Sequence, residues 1–257
     1  MQPAARVAPL PKPITGTIVA ALLVCAAAAW VFTGFQSAAM GMGGMAMVGA
    51  GLFLVIWLVM MIAMMFPSVA PMVLAHASIA RSRGEGSLPL STVAFVAGYL
   101  VVWTCAGLVP LTVIQVLNQS TFSLSPSMLV RLGGLVILIA GVYQFTPLKN
   151  TCLRSCRSPM GFIMTHDFGG GAPAAARAGL SHGLYCLGCC WALMTVLAVV
   201  GLMNLAWMAV IAVVFFLEKN WRYGVPLSRI VGAACVAGGL LVIASPGVLG
   251  MIGGPMA

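Results

Sequence analysis

The chain has 257 residues, of which 62% are hydrophobic and only 6% charged, with a formal net charge of +9. A soluble domain carries about 25% charged residues, so the composition excludes an ordinary soluble fold and points to a protein built for lipid. The excess of positive charge would elsewhere suggest nucleic acid, but no basic face exists outside short loops, and nucleic acid is set aside as a partner.

A bilayer crossing needs about 20 apolar residues, and spans are expected near 14–35, 48–76, 91–115, 130–148, 180–200, 203–218 and 229–249. The expected fold is all-α: a polytopic transmembrane helix bundle of about seven spans, in one integral membrane domain over 1–257. The first run is longer than the roughly 7–15 residues of a signal-peptide core, so it reads as a retained helix. With a cytoplasmic N-terminus, one face receives Arg6, Lys12, Arg81, Arg83, Lys149, Arg154, Arg157, Arg177, Lys219, Arg222 and Arg229, and the other only Arg131. Positive charge in short loops orients membrane proteins in this sense, and lipid headgroups then account for the net charge.

The first outer loop carries Met40, Met42, Met45 and Met47, and the second span contains Met60, Met61, Met64 and Met65. The last four form two i, i+4 pairs, hence two adjacent rows on a helix. Thioethers are soft ligands that select Cu(I), although methionine also fills irregular gaps in apolar packing. Pro67 and Pro71 follow, and are expected to interrupt and bend this span. Met72 and His76 lie near its cytoplasmic end.

The stretch 150–179 is expected to be the largest cytoplasmic loop. Cys152 and Cys156 open it, sharing a face if helical. His182, Cys186, Cys189 and Cys190 follow at the cytoplasmic end of the fifth span, with His182 and Cys186 at i, i+4. Five cysteines in two clusters on one membrane face point to metal or redox chemistry. Thiolates suit Cu(I) and Zn; a tetrahedral Zn site takes four N/S ligands, a number that His182, Cys186, Cys152 and Cys156 would supply. Lys149, Arg154 and Arg157 stand nearby and would favour the ligating thiolate. The plain alternative is close helix packing through Gly179, Gly183, Gly188 and the small thiols. Cys25, Cys105 and Cys235, each alone in an apolar span, are expected as small buried hydrophobes.

Three acids exist: Glu85, Asp167 and Glu218. Glu85 reads as a solvated loop charge. His166 and Asp167 form a candidate hard-ligand pair with no local third partner. Glu218 and Lys219, at the end of the sixth span, read either as a functional intramembrane pair or as an ion pair reaching to the interface. No phosphate loop or catalytic triad is present.

The blocks Met-Met-Ile-Ala-Met-Met-Phe-Pro-Ser-Val-Ala-Pro-Met (60–72), Tyr-Gln-Phe-Thr-Pro-Leu-Lys (143–149) with Cys152 and Cys156, and Gly-Leu-Tyr-Cys-Leu-Gly-Cys-Cys-Trp-Ala-Leu-Met (183–194) resemble a bacterial family of integral membrane proteins of unknown function described as predicted metal-binding. The resemblance covers nearly all of the chain past the first span. It implies a multi-pass protein of the bacterial inner membrane and supports the five clustered cysteines as the site, without choosing the metal. The leading expectation is a soft-metal protein, with Cu(I) ahead of Zn, acting in transport or in delivery to a partner membrane enzyme or metal chaperone. A membrane thiol–disulfide protein and a structural subunit of a membrane complex are the alternatives.

Overall fold

A computed structural model describes residues 10–40, 48–84, 87–119, 125–165 and 170–245. Arg6, Met42, Met45, Met47, Glu85, His166 and Asp167 lie outside these residues. The described residues form helices and no strand: α1 (Lys12–Met40), α2 (Ala50–Ser82), α3 (Leu88–Gln119), α4 (Pro126–Tyr143), α5 (Pro147–Arg157), α6 (Pro159–Thr165), α7 (Gly171–Val200), α8 (Leu205–Asn220) and α9 (Gly224–Ala244).

Five of them, α1, α2, α3, α7 and α9, are long and apolar enough to cross a bilayer, and α4 with α5 makes a sixth if that bent pair is one span. Hydropathy suggests about seven. The difference lies at α8, whose 16 residues reach about 24 Å at 1.5 Å per residue, short of a hydrocarbon core about 30 Å thick. The stretch 150–179, read from sequence as a loop, holds most of α5, all of α6 and the start of α7.

Helices α2 and α7 are the buried centre, while α1 and α9 turn most of their apolar surface outward. Val24, Phe35, Val109 and Ile230 are among the exposed apolar side chains of α1, α3 and α9. Helices that are apolar all round belong in a large core or in lipid. α7 packs along α3, α4 along α9 and α1 along α2, which also reaches α3 and α8. The α3–α7 contact depends on glycine. A Cβ at Gly179 would overlap the Phe95 backbone carbonyl, and one at Gly98 would overlap the Ala176 carbonyl. Small residues let the two backbones meet directly, as membrane helices commonly do.

The expected proline break in α2 does not occur: the helix runs through Pro67 and Pro71 for 33 residues. Proline at 67 removes the N–H that would bond the Ala63 carbonyl four residues earlier. Trp30 of α1 donates its indole N–H to that same carbonyl at 3.0 Å. A neighbouring helix thus replaces the missing partner, which is how proline is tolerated inside apolar bundles.

The sharp corner lies instead between α4 and α5, which meet at 65°. Thr146 caps α5, its hydroxyl accepting from the Lys149 backbone N–H at 3.3 Å, and Pro147 opens the helix. Both are start signals: a side-chain cap and a residue whose missing N–H costs nothing in a first turn. α5 ends at Ser158, which has left helical geometry. Between α7 and α8, Gly201 takes a positive φ of 107°, and Asn204 caps α8 by accepting from the Trp207 N–H at 3.2 Å.

Candidate metal centre

α7 places Cys186, Cys189 and Cys190 on its inner face, with exposures of 0, 1 and 0%. α5 crosses this face after the 65° corner and brings up Cys156. The thiol sulfurs of Cys156, Cys186 and Cys189 all lie within 4.8 Å of one another, close enough for one ion to touch all three. Cys156 and Cys189 are 3.7 Å apart, and Cys190 lies 3.4 Å from Cys189 outside the group of three. All eight cysteines are free thiols.

Cys152 does not join this group. It is buried against Gly188, where an added Cβ would stand 2.6 Å from its sulfur. Gly188 therefore serves the approach of α5 to α7, and its carbonyl also accepts from the Tyr143 hydroxyl at 2.6 Å. His182, one turn before Cys186, also lies outside the group. Its ring is buried among Phe95, Tyr99 and Phe162, at centroid distances of 6.2, 5.9 and 5.5 Å. Its Nδ1 has no hydrogen-bond partner among the described residues. His76 stacks on Phe95 at 4.7 Å.

Met60, Met61, Met64 and Met65 are all fully buried in the α2 core. Met65 reaches the cysteine site: its thioether lies 3.8 Å from the Lys219 ammonium. Among the described residues, no hydrogen bond ties Met60, Met61 or Met64 to the thiols, and methionine also fills gaps in apolar packing. Cys25 and Cys105, expected to be buried, are exposed, and Cys235 is half-buried. Helices α1, α3 and α9 turn large parts of their apolar surface outward, so a small apolar residue there need not face the core.

The charges around the site are arranged differently from the sequence expectation. The hydrogen bonds of Lys149 go to oxygens, although its charge also acts on the nearby Cys152 thiol. Its ammonium donates to the Cys189 carbonyl and to Glu218 Oε2, the latter at 2.7 Å, with both ion-pair side chains at or below 1% exposure. Arg157 donates to the backbone carbonyls of Glu218 and Arg222. Glu218 and Lys219 are not paired with each other. Adjacent on α8, they point apart, and Lys219 turns into the site, where its ammonium lies 3.1 Å from the Cys186 sulfur and 3.2 Å from the Ser68 hydroxyl. Tyr99 approaches the same sulfur at 3.1 Å. One lysine thus supplies the positive charge that a buried thiolate needs.

Tyr99, Ser68 and Lys219 are the site residues that sequence reasoning missed or misread. A usable signal existed for Lys219: a lysine flanked by apolar helix in a chain with three acids must find an uncommon partner, and thiols were the available one. Tyr99 and Ser68 carried no comparable mark.

Helices long enough for a bilayer, packed around three buried thiols, define a class: an all-helical bundle whose thiol group is of the kind that holds a soft metal ion. Within it, this chain belongs to the PpoB2 copper chaperone family, whose model, described as PpoB2: Copper chaperone, matches residues 54–242. That stretch includes both cysteine clusters, Met65, Ser68, Tyr99 and Lys219. No curated protein and no solved structure matches the chain.

Proposed function

We propose that this is an integral membrane protein that binds Cu(I) as cargo at Cys156, Cys186 and Cys189 and passes it to a partner membrane enzyme. The observation that carries this reading is the group of three buried thiols within 4.8 Å, in a chain of the copper chaperone family. Three sulfurs suit Cu(I) and fall one short of the four N/S ligands of a structural Zn site. Lys219 offsets part of the negative charge that three thiolates would bring into an apolar interior. Cys190 and Met65 are the adjoining soft donors, through which an ion moves without rehydrating. His182 and Cys152 stand at the margin as further stops, and Met60, Met61 and Met64 continue the soft-donor row along α2.

The topology that goes with this reading has a cytoplasmic N-terminus in a bacterial inner membrane. It has about seven crossings, the sixth being the short α8 paired with α7. The charge asymmetry supports this orientation, because it gathers the ends bearing Lys149, Arg157, Arg177, Lys219 and Arg222 on one face. The thiol group then lies toward the cytoplasmic side.

The test is elemental analysis of the detergent-purified protein beside Cys156→Ser, Cys186→Ser and Cys189→Ser, reconstituted with Cu(I) under reductant. The expected result is one tightly held copper in the parent and none in each variant, with helical content unchanged. Cys25→Ser and Cys105→Ser should keep the metal, since both thiols are exposed and outside the group of three. A copper-free parent would sink the proposal. A Cys156–Cys189 disulfide under mild oxidation, in a parent that takes no metal, would put thiol exchange in its place.

A further inference from the structure

Cys186 and Cys189 are 0 and 1% exposed and Cys156 8%, so an ion can reach all three sulfurs together only if some part of the bundle moves. Two of the three, Cys186 and Cys189, stand on α7, whose backbone is seated directly on α3 at Gly98 and Gly179. The third, Cys156, stands on α5, a helix of 11 residues set between the 65° corner and the break at Ser158. α5 is therefore the piece of the cage able to move without parting α7 from α3, giving up only its own contact with α7 at Cys152 and Gly188.

At both ends its charged side chains reach the C-terminal end of α8, with Glu218 common to both contacts and the Arg222 carbonyl adding a second contact to Arg157. Near the start of α5, Lys149 donates to the Glu218 carboxylate; at its end, Arg157 donates to the Glu218 backbone carbonyl. These two contacts bracket Cys152 and Cys156. The carboxylate engages through Oε2, while Oε1 has no hydrogen-bond partner among the described residues. The latch thus rests on one charge-assisted side-chain contact at Glu218 and on two main-chain contacts of Arg157, to the Glu218 and Arg222 carbonyls. Lys149 also holds the Cys189 carbonyl, so the same ammonium ties α5 to the turn that carries a second thiol.

We infer that α5 is a hinged arm and that Glu218 is the positioning residue that latches it closed. With the latch made, Cys156 completes the group of three; with it released, Cys156 swings away and leaves a two-thiol site open to an incoming or departing ion. This rests on the copper reading for its purpose, but the movement itself is measurable without metal.

The experiment uses the full-length protein in detergent, reduced and stripped of metal, with maleimide labelling of each cysteine followed by mass spectrometry. Cys25 and Cys105, both exposed, are the internal standards, and Cys235 on α9 reports general loosening. Glu218→Gln keeps the side-chain shape and removes the charge. It should speed labelling of Cys156 and Cys189 at least about tenfold, since one partner of a buried ion pair is lost, with Cys235 unchanged. Glu218→Asp, which retains the carboxylate, should restore most of the protection. Arg157→Met releases the other end without leaving Lys149 unpaired; it should act in the same direction and decides the question if Glu218→Gln does not fold. Unchanged labelling of Cys156 and Cys189 in the folded variants overturns the inference. So does a parallel rise at Cys235.

Copper-loaded protein separates the two readings. If the parent binds copper and a chelator strips it from the variants no faster, the latch is wrong and the metal site stands. If the parent binds none but the labelling pattern appears, the arm stands and the copper reading falls.

Discussion

Gly179→Ala should destabilise this protein through a single added methyl group. A Cβ there overlaps the backbone carbonyl of Phe95, so no rotamer change relieves it and the two helices must part or slide. Overpacking costs about 1–3 kcal/mol, occasionally more, and a backbone obstacle belongs at the top of that range. At roughly 2–4 °C per kcal/mol for a chain of this size, about 3 kcal/mol corresponds to a melting point lowered by roughly 6–12 °C. Gly238→Ala is the matched control. It is also a helical glycine, on α9, and a Cβ there meets nothing within 4 Å. It should be neutral or stabilise by up to about 1 kcal/mol from helix propensity alone. The assay is thermal unfolding of the purified protein in one detergent, followed by circular dichroism, together with maleimide labelling of Cys186 and Cys189. Gly179→Ala should lower the midpoint and expose both thiols, and Gly238→Ala should do neither. Equal midpoints for the two variants would refute the direct α3–α7 seating, and with it the view that α7 is the fixed wall of the cage.

Three further outcomes follow from particular contacts. Trp30→Phe should destabilise by about 1–3 kcal/mol, because it leaves the buried Ala63 carbonyl without its donor. Adding Pro67→Ala should recover most of this by restoring the helical N–H at 67, as read by the midpoints of the single and double variants. Lys149→Met should cost about 3–5 kcal/mol by leaving Glu218 buried and unpaired, whereas Lys149→Met with Glu218→Leu should cost much less, since replacing both members of a buried pair by apolar groups is often close to neutral. Near-equal losses for the single and double variants would contradict that pairing. Lys219→Met should leave the fold intact yet weaken copper retention, measured by chelator competition, because the ammonium beside Cys186 is the nearest compensating charge. Copper held as tightly as in the parent would remove Lys219 from the site.

Much of the architecture was legible in the residues themselves. Apolar content and run length dictate an all-helical chain, because a continuous apolar segment can satisfy its backbone only within itself. The spacing at 186, 189 and 190 determines which thiols share a face of α7, since helical geometry is local. The family blocks and the clustering of cysteines point to metal or redox chemistry from the residues alone. Other features depended on what lies across the bundle. The continuation of α2 through Pro67 goes with Trp30, 37 positions away, reaching the orphaned carbonyl. Glu218 and Lys219, neighbours in the chain, took opposite partners because adjacent positions on a helix point in different directions. Which α5 cysteine entered the cage was decided by the 65° corner and by the contact of Cys152 with Gly188, which left Cys156 to meet Cys189. Local periodicity orients each helix about its own axis. Only the packing of α5 against α7 and α8 brought thiols 30 residues apart within reach of one ion, because that distance is closed by contacts no single segment contains.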